Sequence, residues 1–329
     1  MTRDRHTAAV IIDDSYLPAP SRAALRGQWL TRCTIRPLMR RLPLNTAGIA
    51  LLRAITAAPA KFDRTVPGTR VEQIRQGHMR GEWVTAPGVP KRGPVVLYVH
   101  GSAFVILSAG SHRGLVSRLS DRTGIPVFSV DYRLAPEHPF PAASDDVVAA
   151  YGYLIEQGYD PESIVLAGDS AGAHLCVDLA LQLARAGKPR PAAMVVFSPL
   201  IDLTLASAVW QERSLRDPLI TAADCRRLID LYVGTADRTD GRLTLTFDGI
   251  SDFPPTLIQA GGNEMLQADA VHLHDLIRSS GVPCHLQIWP GQGHVFQGSP
   301  GLPESVSALR QAAHFICHVL DRGSSKAQR

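Results

Sequence analysis

From about residue 70 onward, short apolar runs alternate with helix-patterned stretches, and few architectures accept that rhythm. Strand-like segments lie at 71–75, 79–86, 94–99, 126–131, 163–168, 192–197, 256–260 and 285–289. Later runs such as PVVLYV and AAMVVF are almost continuously apolar, the pattern of strands covered on both faces. Helical patterns fill 111–122, 143–157, 171–186, 267–280 and 304–320, and the third of these stops at Gly187 with Pro189 just beyond. The alternation predicts an α/β class fold: a mostly parallel eight-stranded sheet with helices on both faces. No helix separates the first two strands, so they are expected to form an antiparallel hairpin at one edge.

Two regions break the rhythm. Residues 1–65 are helical and arginine-rich, and 201–250, between the sixth and seventh strands, carry apolar helical patches such as CRRLIDLYV. An insertion there sits at the carboxyl ends of the strands, where open α/β sheets bind ligands. The two segments are therefore expected to cover that edge together. This divides the chain into an N-terminal cap segment (1–65), a core (66–200), a cap insertion (201–250), the rest of the core (251–322) and a frayed polar tail (323–329). No internal repeat is present.

Composition narrows the functional classes. Of 329 residues, 45% are hydrophobic and 19% charged, as in ordinary globular proteins. The net charge of +4 comes from arginines scattered among acidic residues, with no long basic block, so a nucleic-acid partner is not expected. No stretch reaches the ~18 apolar residues that span a bilayer. The nearest, AGIALLRAITAA at 47–58, contains Arg53 and reads as an amphipathic helix packed on its own protein, with weak membrane-surface contact as the alternative. The N-terminus lacks the apolar core of a secretory signal, and the five cysteines (33, 176, 225, 284 and 317) show no paired spacing. A reducing, cytoplasmic location is expected.

One pentapeptide carries chemistry. Gly168-Asp169-Ser170-Ala171-Gly172 joins the fifth strand to a helix and matches G-x-S-x-G. In that pattern small neighbours let the backbone reverse sharply, and the serine hydroxyl projects from the sheet edge toward a helix N-terminus. An activated serine needs a base, and the base needs an orienting acid, in the chain order Ser, Asp/Glu, His on this type of scaffold. His294, in the glycine-rich loop PGQGHVFQG after the last strand, is the candidate base. For the acid, Glu264 lies four residues past the seventh strand and is preferred. Asp269 on the following helix, Asp202 after the sixth strand and Asp217 in RDPL remain alternatives. His314 and His318 flank Cys317 at helical spacing, but no carboxylate or second cluster accompanies them, so no metal and no cofactor is expected. Donors for an oxyanion are expected from the loop YVHGSAF, through the N–H groups of Ser102 and Ala103 with Gly101 contributing, and from Ala171. His100 would anchor that loop.

HGSAF (100–104), DYRLAPEHPFPAA (131–143), GDSAG (168–172), NEMLQAD (263–269) and GQGHVF (291–296) together resemble the hormone-sensitive-lipase-like, or bacterial class IV, esterases, especially actinobacterial members. They occur in the family's order, over about residues 70–320. The resemblance implies an α/β-hydrolase fold with a helical cap, a Ser170–His294–Glu264 triad, and oxyanion donors from Gly101–Ala103 and Ala171. It implies Arg133 and Glu137 in supporting ion pairs. The expected partner is a small-molecule ester rather than a lipid droplet, and the chain is expected to be a monomer or homodimer. Two departures stand out. The usual HGGGF is HGSAF, whose added Cβ atoms argue against bulky tertiary-alcohol esters, and the usual acid segment D-P-L-R-D is E-M-L-Q-A. Leu200, Ile201, Leu203, Val209, Trp210, Leu215 and Leu219 are expected to supply an apolar pocket. An amide or N-acyl hydrolase would use the same triad. A ligand-binding receptor on an inactive scaffold fits less well, because both Ser170 and His294 are present.

Overall fold

The computed structural model describes residues 17–34, 36, 37, 41–59, 62–215 and 217–327, with only the backbone described for 324–327. The N-terminal stretch read as lacking a signal falls largely outside these residues. Eight strands form a single sheet: β1 (Arg70–Gln76), β2 (Met79–Thr85), β3 (Val95–Val99), β4 (Val127–Val130), β5 (Ile164–Asp169), β6 (Ala193–Phe197), β7 (Thr256–Gly261) and β8 (Cys284–Trp289). Their spatial order is β1-β2-β4-β3-β5-β6-β7-β8. β1 and β2 form the edge hairpin, β2 meets β4 antiparallel, and every other pairing is parallel.

The continuous apolar runs conceal a two-residue alternation. In β3, Val95, Leu97 and Val99 belong to one buried cluster, while Val96 and Tyr98 belong to another on the opposite face. β5 repeats this with Ile164 and Leu166 on one side and Val165 and Ala167 on the other. Each large aliphatic side chain so enclosed contributes about 1.5–3 kcal/mol, which is why a strand buried on both faces shows no polar positions.

Ten helices follow from the described residues: α1 (Arg22–Cys33), α2 (Thr46–Ala57), α3 (Arg113–Thr123), α4 (Ala142–Glu156), α5 (Ala171–Arg185), α6 (Ala206–Gln211), α7 (Ala222–Val233), α8 (Gly241–Thr244), α9 (Gln267–Ser279) and α10 (Pro303–Ala327). α10 runs through Ala327, so the polar tail expected from residue 323 continues that helix within the described residues. α2 packs inward through Ile49 and Leu52. Its Arg53 donates to the carbonyls of Val105 and Ala135 and pairs with Glu137, so this side chain is engaged by the protein rather than left for a membrane surface. Arg133 pairs with Asp146 through both carboxylate oxygens. No helix among the described residues is long and apolar enough to cross a membrane.

The strand order places a topological switch between β3 and β5. The chain turns to β4 on one side after β3 and to β6 on the other side after β5. Loops leaving β3 and β5 therefore diverge and open a crevice at their carboxyl ends.

Candidate active site

The glycines around Ser170 are required by how closely β3 and β5 approach. Val99 and Gly168 are register partners. A Cβ on Gly168 would lie 2.8 Å from the Val99 carbonyl oxygen, and one on Gly172 would overlap that same oxygen. Between them Ser170 adopts φ 52°, ψ −121°, a backbone state that costs a non-glycine residue about 1–3 kcal/mol. The turn is held from outside. Ser170 N–H donates to Phe197 O (2.9 Å), and Ser170 O accepts from Leu200 N–H (3.2 Å). The strain is thus stored against bonds to the β6 loop, and the hydroxyl stands clear of the sheet.

His294 reaches that hydroxyl from the loop after β8. Its Nε2 lies 3.0 Å from Ser170 Oγ, and its Nδ1 lies 2.6 Å from Glu264 Oε2. Glu264 is fully buried, and its other oxygen accepts from Gly261 N–H (2.7 Å). Two backbone bonds tie the β7 and β8 loops together: Gly262 N–H to Trp289 O (2.7 Å) and Asn263 N–H to Gln292 O (2.8 Å). Val295 N–H donates to Ser198 Oγ (2.9 Å), fastening the histidine loop to β6.

The alternative carboxylates have other partners. Asp269 sits in the first turn of α9 and accepts from Ile201 N–H (2.7 Å) and Asp202 N–H (2.9 Å). Asp202 caps the turn leading into α6 through Thr204 and Ala206. Asp217 is buried and accepts from Leu219, Ile220 and Met265 N–H groups. It thereby links the 201–250 insertion to the residue beside Glu264. Burial pushes the His294 imidazole down, but the bond to Glu264 and the charges of Glu264, Asp217 and Asp169 outweigh it, and the net shift is upward.

Gly101, Ser102 and Ala103 of the β3 loop line the same cavity as Ser170 and His294. Among the described residues, the N–H groups of Ser102, Ala103 and Ala171 donate to no protein acceptor. The Gly101 amide faces the Asp169 carboxylate instead, and a Cβ at 101 would collide with that carboxylate. Ala103 holds φ 45° in place of the usual glycine. The Ser102 hydroxyl is turned into the protein, where it accepts from Phe104 N–H (2.8 Å) and bonds Tyr132 Oη, which in turn donates to His100 O (2.7 Å). His100 stacks on Tyr132 at 4.2 Å, and burial lowers its pKa to about 4, so it is a neutral packing group. Replacing Ser102 with alanine removes a partner from two buried groups. It is expected to cost about 1–3 kcal/mol by urea unfolding and to lower kcat with KM little changed.

Sequence reading passed over two residues here. His112 lines the cavity and lies 3.5 Å from Asp169 Oδ2. Tyr98 donates to Asp169 Oδ1 (2.7 Å). Burial alone would raise the Asp169 carboxyl, but His112, Tyr98 and the Gly101 amide outweigh it and hold it below its ordinary value. A histidine thirteen residues past a strand and a tyrosine inside one carry no local signature.

A cavity of about 680 Å³ opens over Ser170 and His294. Its walls come from both segments outside the strand–helix core: Ala24, Gly27 and Gln28 of α1 and Ile55 of α2, with Pro218, Leu219, Ile220 and Leu228 of the insertion. Of the seven residues expected to line an apolar pocket, only Leu219 does so. Leu200, Ile201 and Leu203 are buried in the core, because Asp269 holds that loop down on the sheet edge. Val209 and Trp210 are exposed. Among the described residues no cluster has the make-up of a metal site, and Cys317 lies against Thr123 O.

Residues 96–298 match the family described as alpha/beta hydrolase fold. An acetyl-hydrolase of Streptomyces hygroscopicus is 40% identical over 246 residues, covering 74% of this chain and 81% of that one. The carboxylesterase/phospholipase LipF of Mycobacterium tuberculosis is 36% identical over 307 residues, covering 90% and 82%. A crystal structure of an esterase from the bacterial hormone-sensitive lipase family superposes with a TM-score of 0.83 at 32% identity, over 92% of this chain and 100% of that one. This chain belongs to the hormone-sensitive-lipase-like esterases of the α/β-hydrolase fold. As an esterase it keeps the family's eight-stranded, mostly parallel sheet. The esterase's departures, HGSAF and a glutamate beside the histidine, are accommodated by Tyr132 behind Ser102 and by the depth of the β7 loop.

Proposed function

We propose that this esterase hydrolyses small to medium acyl esters through an acyl-enzyme formed on Ser170. The observation that carries the reading is the unbroken contact from Glu264 through His294 to the Ser170 hydroxyl at the floor of a largely apolar cavity. In this mechanism His294 Nε2 takes the Ser170 proton as Oγ attacks the ester carbonyl. The negative oxygen is received by the N–H groups of Ser102, Ala103 and Ala171, aided by the positive end of α5. Gly101 acts by letting the loop approach Asp169 rather than as a donor. Glu264 keeps the imidazole in the tautomer with Nδ1 protonated and stabilises the imidazolium. His294 then protonates the leaving alcohol, and water, activated by the same imidazole, releases the acid. The cap consists of the N-terminal helices and the 201–250 insertion, which both wall the cavity.

A rate panel of chromogenic esters from acetyl to long-chain acyl, each with its matched anilide, tests the reading. Turnover of short and medium esters with little on the anilides is expected. Faster anilide hydrolysis would make it an amide hydrolase, and no turnover of either would leave a binding protein.

The base must be neutral to accept a proton, so kcat/KM is expected to fall as pH drops, with a midpoint above the ordinary histidine value of 6.5. Asp217→Asn removes one of the charges that raise His294. Its acidic limb should therefore move to lower pH; an unmoved limb would rule out this coupling.

A further inference from the structure

The helix that walls the cavity has a second, unused face. In α1 the residues that line the cavity are Ala23, Ala24, Gly27, Gln28 and Thr31. Arg22, Leu25, Arg26 and Trp29 recur at three- and four-residue spacing on the opposite side. Trp29 is 67% exposed, Leu30 56% and Leu25 49%. Single exposed apolar residues are ordinary, but Leu25 and Trp29 lie one turn apart on the same outer face and form an apolar pair, with Leu30 at its margin. Arg22, Arg26 and Arg32 are exposed beside them and make no ion pair among the described residues. The surrounding sequence is one-sided in charge. Between residues 17 and 59 it contains Arg22, Arg26, Arg32, Arg36, Arg40, Arg41 and Arg53 and no aspartate or glutamate.

We propose that the outer face of α1 docks this esterase on an anionic lipid surface, with the cavity mouth held at the interface. The inference rests on the reading of the cavity as an acyl-ester site, because docking there would deliver esters dissolved in the membrane. The chemistry favours a bilayer over a second copy of the chain. A two-fold contact through this face would set the arginines of one α1 against those of the other. A bilayer supplies phosphates for the guanidinium groups, and its headgroup region suits an exposed tryptophan and leucines. A helix about 10 Å across can rest in that region while its inner face still borders the cavity. The contact is peripheral and salt-sensitive, since few charges and a small apolar patch supply it.

Co-sedimentation of the full chain with vesicles of phosphatidylglycerol or of phosphatidylcholine tests the proposal. Binding to the phosphatidylglycerol vesicles at low salt, weakened at high salt, is expected. The double variants Leu25→Ser/Trp29→Ser and Arg22→Gln/Arg26→Gln should each lose about tenfold or more in vesicle binding. Both should keep wild-type turnover of a water-soluble ester, because none of the four side chains borders the cavity. Failure of the wild type to bind phosphatidylglycerol vesicles, or unchanged binding by both variants, overturns the proposal. So does loss of a dimer in the variants by analytical ultracentrifugation without loss of vesicle binding, which would assign the face to a second copy. Absence of soluble-ester turnover in the wild type would instead overturn the reading of the cavity, leaving the vesicle result to stand by itself.

Discussion

Replacing Ser170 with alanine is expected to reduce ester turnover by about 10³-fold or more, with substrate binding largely retained. The hydroxyl is the atom placed 3.0 Å from His294 Nε2, and no other hydroxyl hydrogen-bonds that nitrogen among the described residues. The variant keeps the N–H groups at 102, 103 and 171, so a residual rate above that of water is expected from the oxyanion site. Stability should not fall. Alanine fills the same backbone state, and the bonds that brace the turn, from its N–H to Phe197 O and from Leu200 N–H to its carbonyl, are main-chain. Single-turnover kinetics with a chromogenic ester would read the loss, and the acyl burst should disappear with it. Turnover near wild type would show that Ser170 is not the nucleophile.

The second large effect is expected from Glu264→Gln, and its contrast with Asp269→Asn is what makes it informative. Glutamine at 264 can still accept from Gly261 N–H, but it cannot offset charge on the imidazole and can favour the wrong tautomer. A loss of about 10³–10⁴-fold in kcat is expected. Asp269→Asn should cost less than about tenfold, because its carboxylate faces Ile201 and Asp202 N–H groups rather than His294. If only the Asp269 variant collapsed, the acid would have to be reassigned. Asp269 also carries a stability signature. Burial, opposed by the bonds from Ile201 and Asp202, pushes its carboxyl up to about 7 from an ordinary value of 3.8. Folding therefore favours the protonated form. That contribution is complete below 3.8 and is lost as pH rises through about 7. Asparagine does not ionise, so the variant should gain on the wild type as pH rises from 3.8 to about 7 and no further above it, as measured by urea midpoints at both ends of that window.

How legible each part was follows from the range of the interactions behind it. The eight strands fall within two residues of their sequence-based positions, because each is a short run whose burial on both faces leaves a local apolar signal. Ser170 was legible because a strand, a glycine-flanked turn and a helix are contiguous. His294 was legible because glycines crowd the loop after the last strand. The pocket walls were not. Leu200 and Ile201 have the composition of a lid, yet a carboxylate more than sixty residues away pins them to the sheet. The supports for the loop after β3 and for Asp169 were hidden likewise. Tyr132, Tyr98 and His112 act through side chains that meet only after three strands have been laid together.

By itself the sequence determined the α/β alternation, the edge hairpin, the strained serine turn and the chain order of serine, acid and histidine. All of these are written in spacing and in the conformational freedom of glycine. Tertiary structure decided which of four carboxylates meets the imidazole, which way the Gly101 amide points and which helix faces wall the cavity. Those outcomes depend on the direction of side chains from distant segments at a common edge, and one-dimensional spacing carries no record of direction.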